Sequence, residues 1–398
     1  MKWMKNKLNL RVFLGVLLSI YGVACLYLFY MQSIQPLDYD NRYFQSDLPY
    51  HISMIIDDGW YYSFTAYVYQ LLYIFFGKTT IGIAVFLAVM AVLGIILTDK
   101  LLRILTEQKE VTMWSMVSAF ALNMVMPFFW RMAGVYRYVS YQSGNIWHNS
   151  TYQCMKVLAL AAMICYLELE KEYREHISLK QWIAFAGLLV ICTGIKPSFL
   201  TVFAPAMALK LLWDLFHKVP FKQIFIFGCA VLPACGVVLW QNAVLFGEET
   251  GQGFSLQPWF TFSLHADRPK LAVLCSIAFP LIVAACSLME LLKDKKYFFG
   301  WLMTGIGFLE ALLLAETGSR SRDGNFLWGY CFVIFYIFVL SFVKWLEMGK
   351  RAKGQTKLKR MLYKAAFWGC GVVFAYQLYC GVVFFIRLMM GETYFMVG

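Results

Sequence analysis

Charged residues are scarce in this sequence, and their scarcity excludes an ordinary water-soluble protein. Of its 398 residues only 15% are charged, whereas 61% are hydrophobic, and the mean hydropathy is +0.61. A soluble domain carries about 25% charged residues. Because too few polar side chains remain to cover a surface in water, we expect a lipid bilayer to surround most of this chain.

Several motifs of soluble and ATP-driven proteins are also missing. The sequence has no GxxxxGK[ST], which argues against a P-loop pump, and no GxSxG, HExxH or GxGxxG. Its eleven cysteines include no CxxC pair and no Cys/His cluster with zinc spacing. Most of them lie inside apolar runs, which is typical of small apolar side chains in helices and not of a disulfide scaffold.

Long apolar runs separated by short polar joints are present instead. Each run is near the length of about 20 residues that a helix needs to cross a bilayer. No internal repeat or low-complexity linker divides the chain, so we expect residues 1–398 to form one all-α, polytopic transmembrane domain. Eleven spans are predicted, at about 11–33, 80–102, 112–131, 152–168, 181–194, 197–214, 223–246, 271–292, 298–316, 326–344 and 364–388.

Basic residues alternate between two sets of loops along the chain. One set is rich in Lys and Arg and the other holds few, and the positive-inside rule places the basic set in the cytoplasm. The N-terminus belongs to that set, so we expect a multi-pass protein of the cell membrane with a cytoplasmic N-terminus. The same pattern explains the net charge of +12 without a nucleic-acid partner. The basic loops are at 2–11, 100–109, 171–180, 218–222, 293–296 and 350–360.

The aromatic segment from Trp60 to Phe76 is short for a span, and counting it as one would place the later basic loops outside. We therefore predict a helix that lies on the outer leaflet or dips into it. The first external loop then runs from about Gln32 to Thr79 and is the longest loop in the protein.

This first external loop carries carboxylates and a histidine beside the membrane. Asp47 is followed by Tyr50 and His51, and Asp57-Asp58 precede the aromatic segment. A carboxylate here can act as a general base on a hydroxyl, and the Asp57-Asp58 pair can hold a divalent cation. The alternative is that these acids are solvated, or that one of the pair caps the next helix.

Two more external positions carry polar side chains next to spans. His148 and Asn149 directly precede the span at 152–168, and Lys196 lies in a tight turn between two spans. The histidine can move a proton or bind a phosphate or a metal, and the lysine can bind a lipid phosphate. Alternatively, Asn149 caps the next helix and Lys196 extends to the outer interface.

The external loop after 298–316 breaks the charge rule, because it contains Arg320 and Arg322. Bidentate binding of a phosphate or diphosphate is one explanation, and Glu316 and Asn325 in the same loop are candidate substrate contacts. The other explanation is local pairing of the arginines with Glu316 and Asp323.

The whole layout resembles the GT-C class of membrane glycosyltransferases. The shared features are one helix, a long external loop with acids, a surface helix, and many further spans with short basic loops. In that class an early acid pair, often Asp-Glu followed shortly by Tyr, serves in catalysis. Asp47 with Tyr50 holds the matching place here, although Leu48 replaces the second acid.

The resemblance implies that a sugar is transferred from a polyprenyl-phosphate carrier to an acceptor of the cell envelope at the external face. Asp47 would be the base, other polar residues would line the cavity, and external cations would hold the carrier phosphate. A transporter or flippase for lipid-linked saccharides, and a polysaccharide polymerase or ligase, are alternatives. The implied cavity residues are Asp57, Asp58 and His148, and the implied phosphate ligands are Lys196, Arg320 and Arg322.

Overall fold

The computed structural model describes residues 2–37, 43–246, 253–351 and 356–394, and this part of the chain is almost entirely helical. The one sheet found in the described ranges pairs two strands of three residues. The helices are α1 (Lys2–Ser33), α2 (Leu48–Ile56), α3 (Phe64–Phe75), α4 (Ile81–Leu105), α5 (Met113–Leu122), α6 (Ser150–Glu172), α7 (Leu179–Ile195), α8 (Ser198–Phe216), α9 (Phe221–Cys229), α10 (Leu232–Phe246), α11 (Phe260–Ser263), α12 (Pro269–Ser276), α13 (Ala278–Cys286), α14 (Leu288–Lys293), α15 (Lys295–Leu313), α16 (Leu327–Arg351) and α17 (Lys357–Met389), and the strands are β1 (Phe254–Leu256) and β2 (Leu314–Glu316).

Seven helical segments are long and apolar enough to cross a membrane. They are α1, α4, α6, α8, α16, α17 and the segment formed by α9 and α10. The pair of α12 and α13, bent by 67°, adds an eighth if it is counted as one span. The chain is thus a polytopic helical membrane protein, as its sequence predicts. Each of the eleven predicted spans contains at least one helix, and the number eleven stays a prediction.

Two helices, α2 and α3, occupy the segment between the first two long helices. The predicted surface helix is α3, which begins at Phe64 and not at Trp60. Its N-cap is Ser63, whose side chain accepts a hydrogen bond from the Thr65 N–H at 3.2 Å. The interpretation that Asp57 or Asp58 caps this helix is therefore wrong.

The other helix of this loop, α2, was not predicted. Arg42 of the same loop lies outside the described residues.

The predicted span at 271–292 is divided into α12, α13 and α14. Pro280 lacks the N–H of a regular helical bond, so the chain bends near it. Gln377 of α17 satisfies the backbone groups at the bend. Its side-chain oxygen accepts from the Phe279 N–H at 3.1 Å, and its nitrogen donates to the Cys275 carbonyl at 3.4 Å.

Two other predicted spans end early. The helix predicted at 112–131 ends at Leu122, because the chain beyond it packs directly on α17. A Cβ at Gly381 of α17 would lie 1.5 Å from the Met124 carbonyl oxygen, so only glycine permits this approach. The helix predicted at 298–316 ends at Leu313 and continues as β2, which pairs antiparallel with β1 and places Glu316 opposite Phe254.

The topology can be tested by cysteine labelling in a variant without the eleven native cysteines, all of which are free. Single cysteines are introduced at three exposed positions, Asp58, Thr79 and Lys109. The first two flank α3, and the third follows α4. We expect an impermeant thiol reagent to label the first two from outside and the third only after permeabilisation, because the positive-inside rule predicts that the basic loops are cytoplasmic. Labelling of Asp58 and Thr79 from opposite sides would make α3 a true span.

Candidate functional site

A cavity of 990 Å³ collects nearly all of the polar residues selected from the sequence. It lies where the loop before α2, the N-termini of α6, α8 and α16 and the loop after α15 meet. Eleven of the twelve predicted site residues line it, namely Asp47, Tyr50, His51, Asp58, His148, Asn149, Lys196, Glu316, Arg320, Arg322 and Asn325.

The twelfth residue, Asp57, does not line this cavity. It is the exposed C-cap residue of α2, and its N–H donates to the Ser53 carbonyl at 2.8 Å. The neighbouring Asp58 does line the cavity. Within the described ranges no group of three or more His, Cys, Asp or Glu side chains is placed to hold a metal ion. A divalent cation at Asp57 and Asp58 remains a prediction.

Asp47 is the N-cap residue of α2, which begins at Leu48 and has Pro49 in its first turn. Its carboxylate makes no capping hydrogen bond and instead accepts one from the Asn149 side-chain nitrogen at 2.7 Å. The Asp47 N–H donates to the His148 carbonyl at 3.1 Å, which joins α2 to the chain before α6. The Asp47 side chain is 32% exposed. Its carboxylate is therefore oriented by the protein and open to a ligand.

Asn149 holds this carboxylate through a side chain with two functions. Its oxygen caps α6 by accepting from the Tyr152 N–H and the Thr151 hydroxyl, both at 2.9 Å. This leaves the side-chain nitrogen pointing to Asp47. The capping interpretation of Asn149 is thus confirmed, and the cap fixes the direction of the hydrogen bond to Asp47. A role for Asn149 in substrate binding stays a prediction.

The two histidines beside Asp47 are neutral at pH 7. Burial lowers the pKa of His51 to about 4, and the Asp47 carboxylate opposes this shift. Burial also lowers the pKa of His148, again against the effect of Asp47. The His148 ring stacks on Tyr394 with centroids 4.3 Å apart, and its Nε2 lies 4.0 Å from the Asp47 carboxylate. Neutral imidazoles orient or relay a proton but do not neutralise a phosphate.

Lys196 supplies positive charge to the cavity without an acidic partner. Its ammonium lies 3.4 Å from the Thr151 hydroxyl and 5.0 Å from the centre of the Trp328 ring. No carboxylate of the described residues is within ion-pairing distance. Burial lowers the pKa of Lys196 to about 8, although Asp47 opposes the shift. The side chain is thus a cation at pH 7 and is available to an anionic ligand.

The two arginines of the loop after β2 differ in their ion pairs. Arg320 pairs with Asp323 at 3.0 Å and approaches Glu316 at 4.0 Å, as the local-pairing interpretation predicts. Asn325 donates to both Glu316 oxygens, at 3.0 and 2.9 Å. Arg322 is exposed, lines the cavity and forms no ion pair within the described ranges. Among the described residues that line the cavity, Lys196 and Arg322 are therefore the cations that form no ion pair.

Several lining residues were missed by the sequence reasoning. Tyr394 and Trp328 form aromatic walls around His148, and Thr201 donates to Glu310 of α15 at 3.1 Å. The buried side-chain oxygen of Gln241 has no hydrogen-bond partner in the described structure and can accept a bond from a ligand. Only Glu310 carries a sequence signal, as an ionisable residue inside an apolar run.

The affinity for a lipid phosphodiester should depend on the protonation of Lys196. A phosphodiester does not titrate between pH 7 and 9, so affinity should fall about tenfold over this range as the ammonium with its pKa of about 8 is lost. Lys196→Arg should remove the dependence, because arginine stays charged. Lys196→Met should bind weakly at both values. An unchanged pH profile in Lys196→Arg would assign the effect to another group.

Comparison with models of known protein families gave no match, and comparison with curated proteins gave no significant match either.

Proposed function

We propose that this protein transfers a sugar from a polyprenyl-phosphate carrier to an acceptor hydroxyl at the external face of the cell membrane. The observation that carries the proposal is a single cavity with three properties. It contains an oriented carboxylate at Asp47, unpaired cations at Lys196 and Arg322, and apolar side chains such as Leu37 and Leu245. A lipid-linked anionic sugar donor needs all three.

In the proposed reaction, the carboxylate and the cations act on different atoms of the substrates. The acceptor oxygen attacks the anomeric carbon of the sugar, and its proton passes to the Asp47 carboxylate. The bond between the anomeric carbon and the phosphate oxygen breaks, and the carrier phosphate leaves with the electron pair. Lys196 and Arg322 stabilise the charge that develops on this phosphate. Arg320 supports them from its paired position beside Asp323.

The proposal agrees with the resemblance to GT-C glycosyltransferases at Asp47 and Tyr50, which both line the cavity. The replacement of the second acid by Leu48 has a structural counterpart, because Leu48 is buried against the core. The side chain beside the Asp47 carboxylate is instead the Asn149 amide, which donates a hydrogen bond to it. This arrangement favours a single carboxylate as the base.

A transporter or flippase is the second candidate, because a transporter needs a cavity at each face of the membrane and a second cavity is present. A second cavity, of 1160 Å³, lies at the other end of the helix bundle, between α4, α5, α16 and α17. The two cavities have no lining residue in common. An enzyme needs a cavity open on one face only, so this separation supports transfer over transport.

The test is a donor panel. Vesicles with and without the protein are incubated with polyprenyl-phosphate sugars, and the consumption of donor and release of polyprenyl phosphate are measured. We expect one donor to be consumed only when the protein and an acceptor are both present. Movement of an intact labelled donor across the bilayer without consumption would establish the transporter, and the absence of both would reject both candidates.

A further inference from the structure

We propose that the second cavity, the groove lined by α4, α5, α16 and α17, binds an anionic phospholipid by its phosphate headgroup and one acyl chain. The groove and the site cavity lie at opposite ends of α16. Trp328 of α16 lines the site cavity and Lys350 lines the groove. They are separated by about 33 Å along the helix, at ~1.5 Å per residue. This distance is near the ~30 Å thickness of the hydrocarbon core, which places the two cavities in opposite leaflets.

The walls of the groove match an acyl chain. The helix α5 has only ten residues, so it leaves a gap beside the longer helices around it. Apolar side chains from α4, α16 and α17 face this gap. The groove volume of 1160 Å³ is large enough for part of a lipid and includes its opening to the surroundings. The apolar lining residues are Leu102, Leu105, Phe342, Val343, Leu346 and Phe367.

The groove entrance has the side chains of a membrane interface. Trp114 and Trp368 line it and are 53% and 68% exposed. Tryptophan at this level anchors between headgroups and acyl chains. Deeper in the groove, the buried Ser118 hydroxyl has no hydrogen-bond partner among the described residues. It is a donor suited to the ester carbonyl of a glycerolipid.

The charge of the entrance selects an anion. Lys350 and Lys364 line the groove, are exposed, and form no ion pair within the described ranges. Two acids also line the groove, Glu107 and Glu347, and Glu347 is already bound by Lys344 at 2.9 Å and Arg351 at 3.6 Å. The lining cations Lys350, Arg360 and Lys364 outnumber these two acids. The surrounding segment is basic as a whole, which is typical of binding to anionic lipids next to a span. Its basic residues are Lys350, Arg351, Lys353, Lys357, Lys359, Arg360 and Lys364.

The test compares phosphatidylglycerol with phosphatidylcholine of the same acyl chains. The purified full-length protein is offered both lipids, and those retained are counted by native mass spectrometry. We expect preferential retention of phosphatidylglycerol that inorganic phosphate or glycerol phosphate does not compete away, because the acyl chain contributes binding. Equal retention of both lipids, or full competition by inorganic phosphate, would overturn the proposal.

Variants then locate the lipid. The triple variant Lys350→Gln, Arg360→Gln and Lys364→Gln removes the cations of the groove. A matched control, Lys293→Gln, Lys295→Gln and Lys296→Gln, removes three basic residues of another predicted cytoplasmic loop that do not line the groove. We expect retention to fall about tenfold in the first variant and little in the second. Equal losses in both, or none in the groove variant, would contradict the assignment. Thermal unfolding of each variant checks that it is folded.

Discussion

Asp47→Asn should reduce sugar transfer by about 100-fold or more while leaving the protein folded in the membrane. The substitution keeps the shape of the side chain and removes the negative charge that accepts the acceptor proton. The oxygen of the new amide can still accept the hydrogen bond from Asn149, which is 2.7 Å long in the native protein. Binding of the donor should change little, because Lys196 and Arg322 remain.

The chain supplies a matched control at Asp57. Asp57→Asn is the same chemical change at an exposed carboxylate that does not line the cavity. We expect it to retain full activity. Asp58→Asn tests the competing carboxylate, since Asp58 does line the cavity. Rates are measured at saturating donor, and thermal unfolding checks that each variant is folded.

The outcomes distinguish three assignments. Loss in Asp47→Asn alone supports Asp47 as the base. Full activity in Asp47→Asn with loss in Asp58→Asn would move the base to Asp58. Full activity in all three variants would remove the glycosyltransferase proposal and leave the transporter as the better candidate.

Much of the candidate site could be predicted, because its residues are polar and the sequence around them is mostly apolar. A polar residue beside a membrane span is costly unless it is hydrated or used, so Asp47, His148 and Lys196 stood out from the apolar sequence around them. Their convergence could not be predicted. It depends on contacts such as the hydrogen bond between Asn149 and Asp47, which joins residues far apart in the chain.

The helix breaks were not predicted, and for a related reason. Hydropathy depends on nearby residues, so it gave the positions of the apolar segments. The breaks within them depend on tertiary hydrogen bonds. Gln377 satisfies the bend between α12 and α13, and Asn145 donates to the Leu122 and Val125 carbonyls at the end of α5, at 2.9 and 2.8 Å.

Lys156 was missed altogether, because one charge within the apolar run at 152–168 does not change its hydropathy enough to be seen. In the structure it lies in α6 and is only 5% exposed. Its side-chain nitrogen donates to the Asn145 and Asn123 side-chain oxygens, at 2.6 and 3.1 Å. It also lies 3.7 Å from the centre of the Phe335 ring. None of the described carboxylates pairs with Lys156, so the side chains of Asn145 and Asn123 are the groups that stabilise its buried nitrogen.

Asn145→Ala should therefore be among the most destabilising substitutions in the protein. It removes the shortest hydrogen bond to Lys156 and both donors to the carbonyls at the end of α5. Leaving a buried hydrogen-bonding group without its partner costs about 1–3 kcal/mol. We expect a loss of this size in the free energy of unfolding, measured in detergent micelles.

The matched control is Thr193→Val, which removes a buried hydroxyl that has no hydrogen-bond partner in the described structure. Because no bond is lost, the free energy of unfolding should stay the same or rise slightly. The double variant Asn145→Ala with Lys156→Met tests the cause. Methionine fills the space of the lysine stem without its amine, so this second change should restore part of the stability lost in Asn145→Ala. If it restores none, the cost arises from the α5 carbonyls alone. If Asn145→Ala costs no more than Thr193→Val, the interaction between Asn145 and Lys156 does not stabilise the fold.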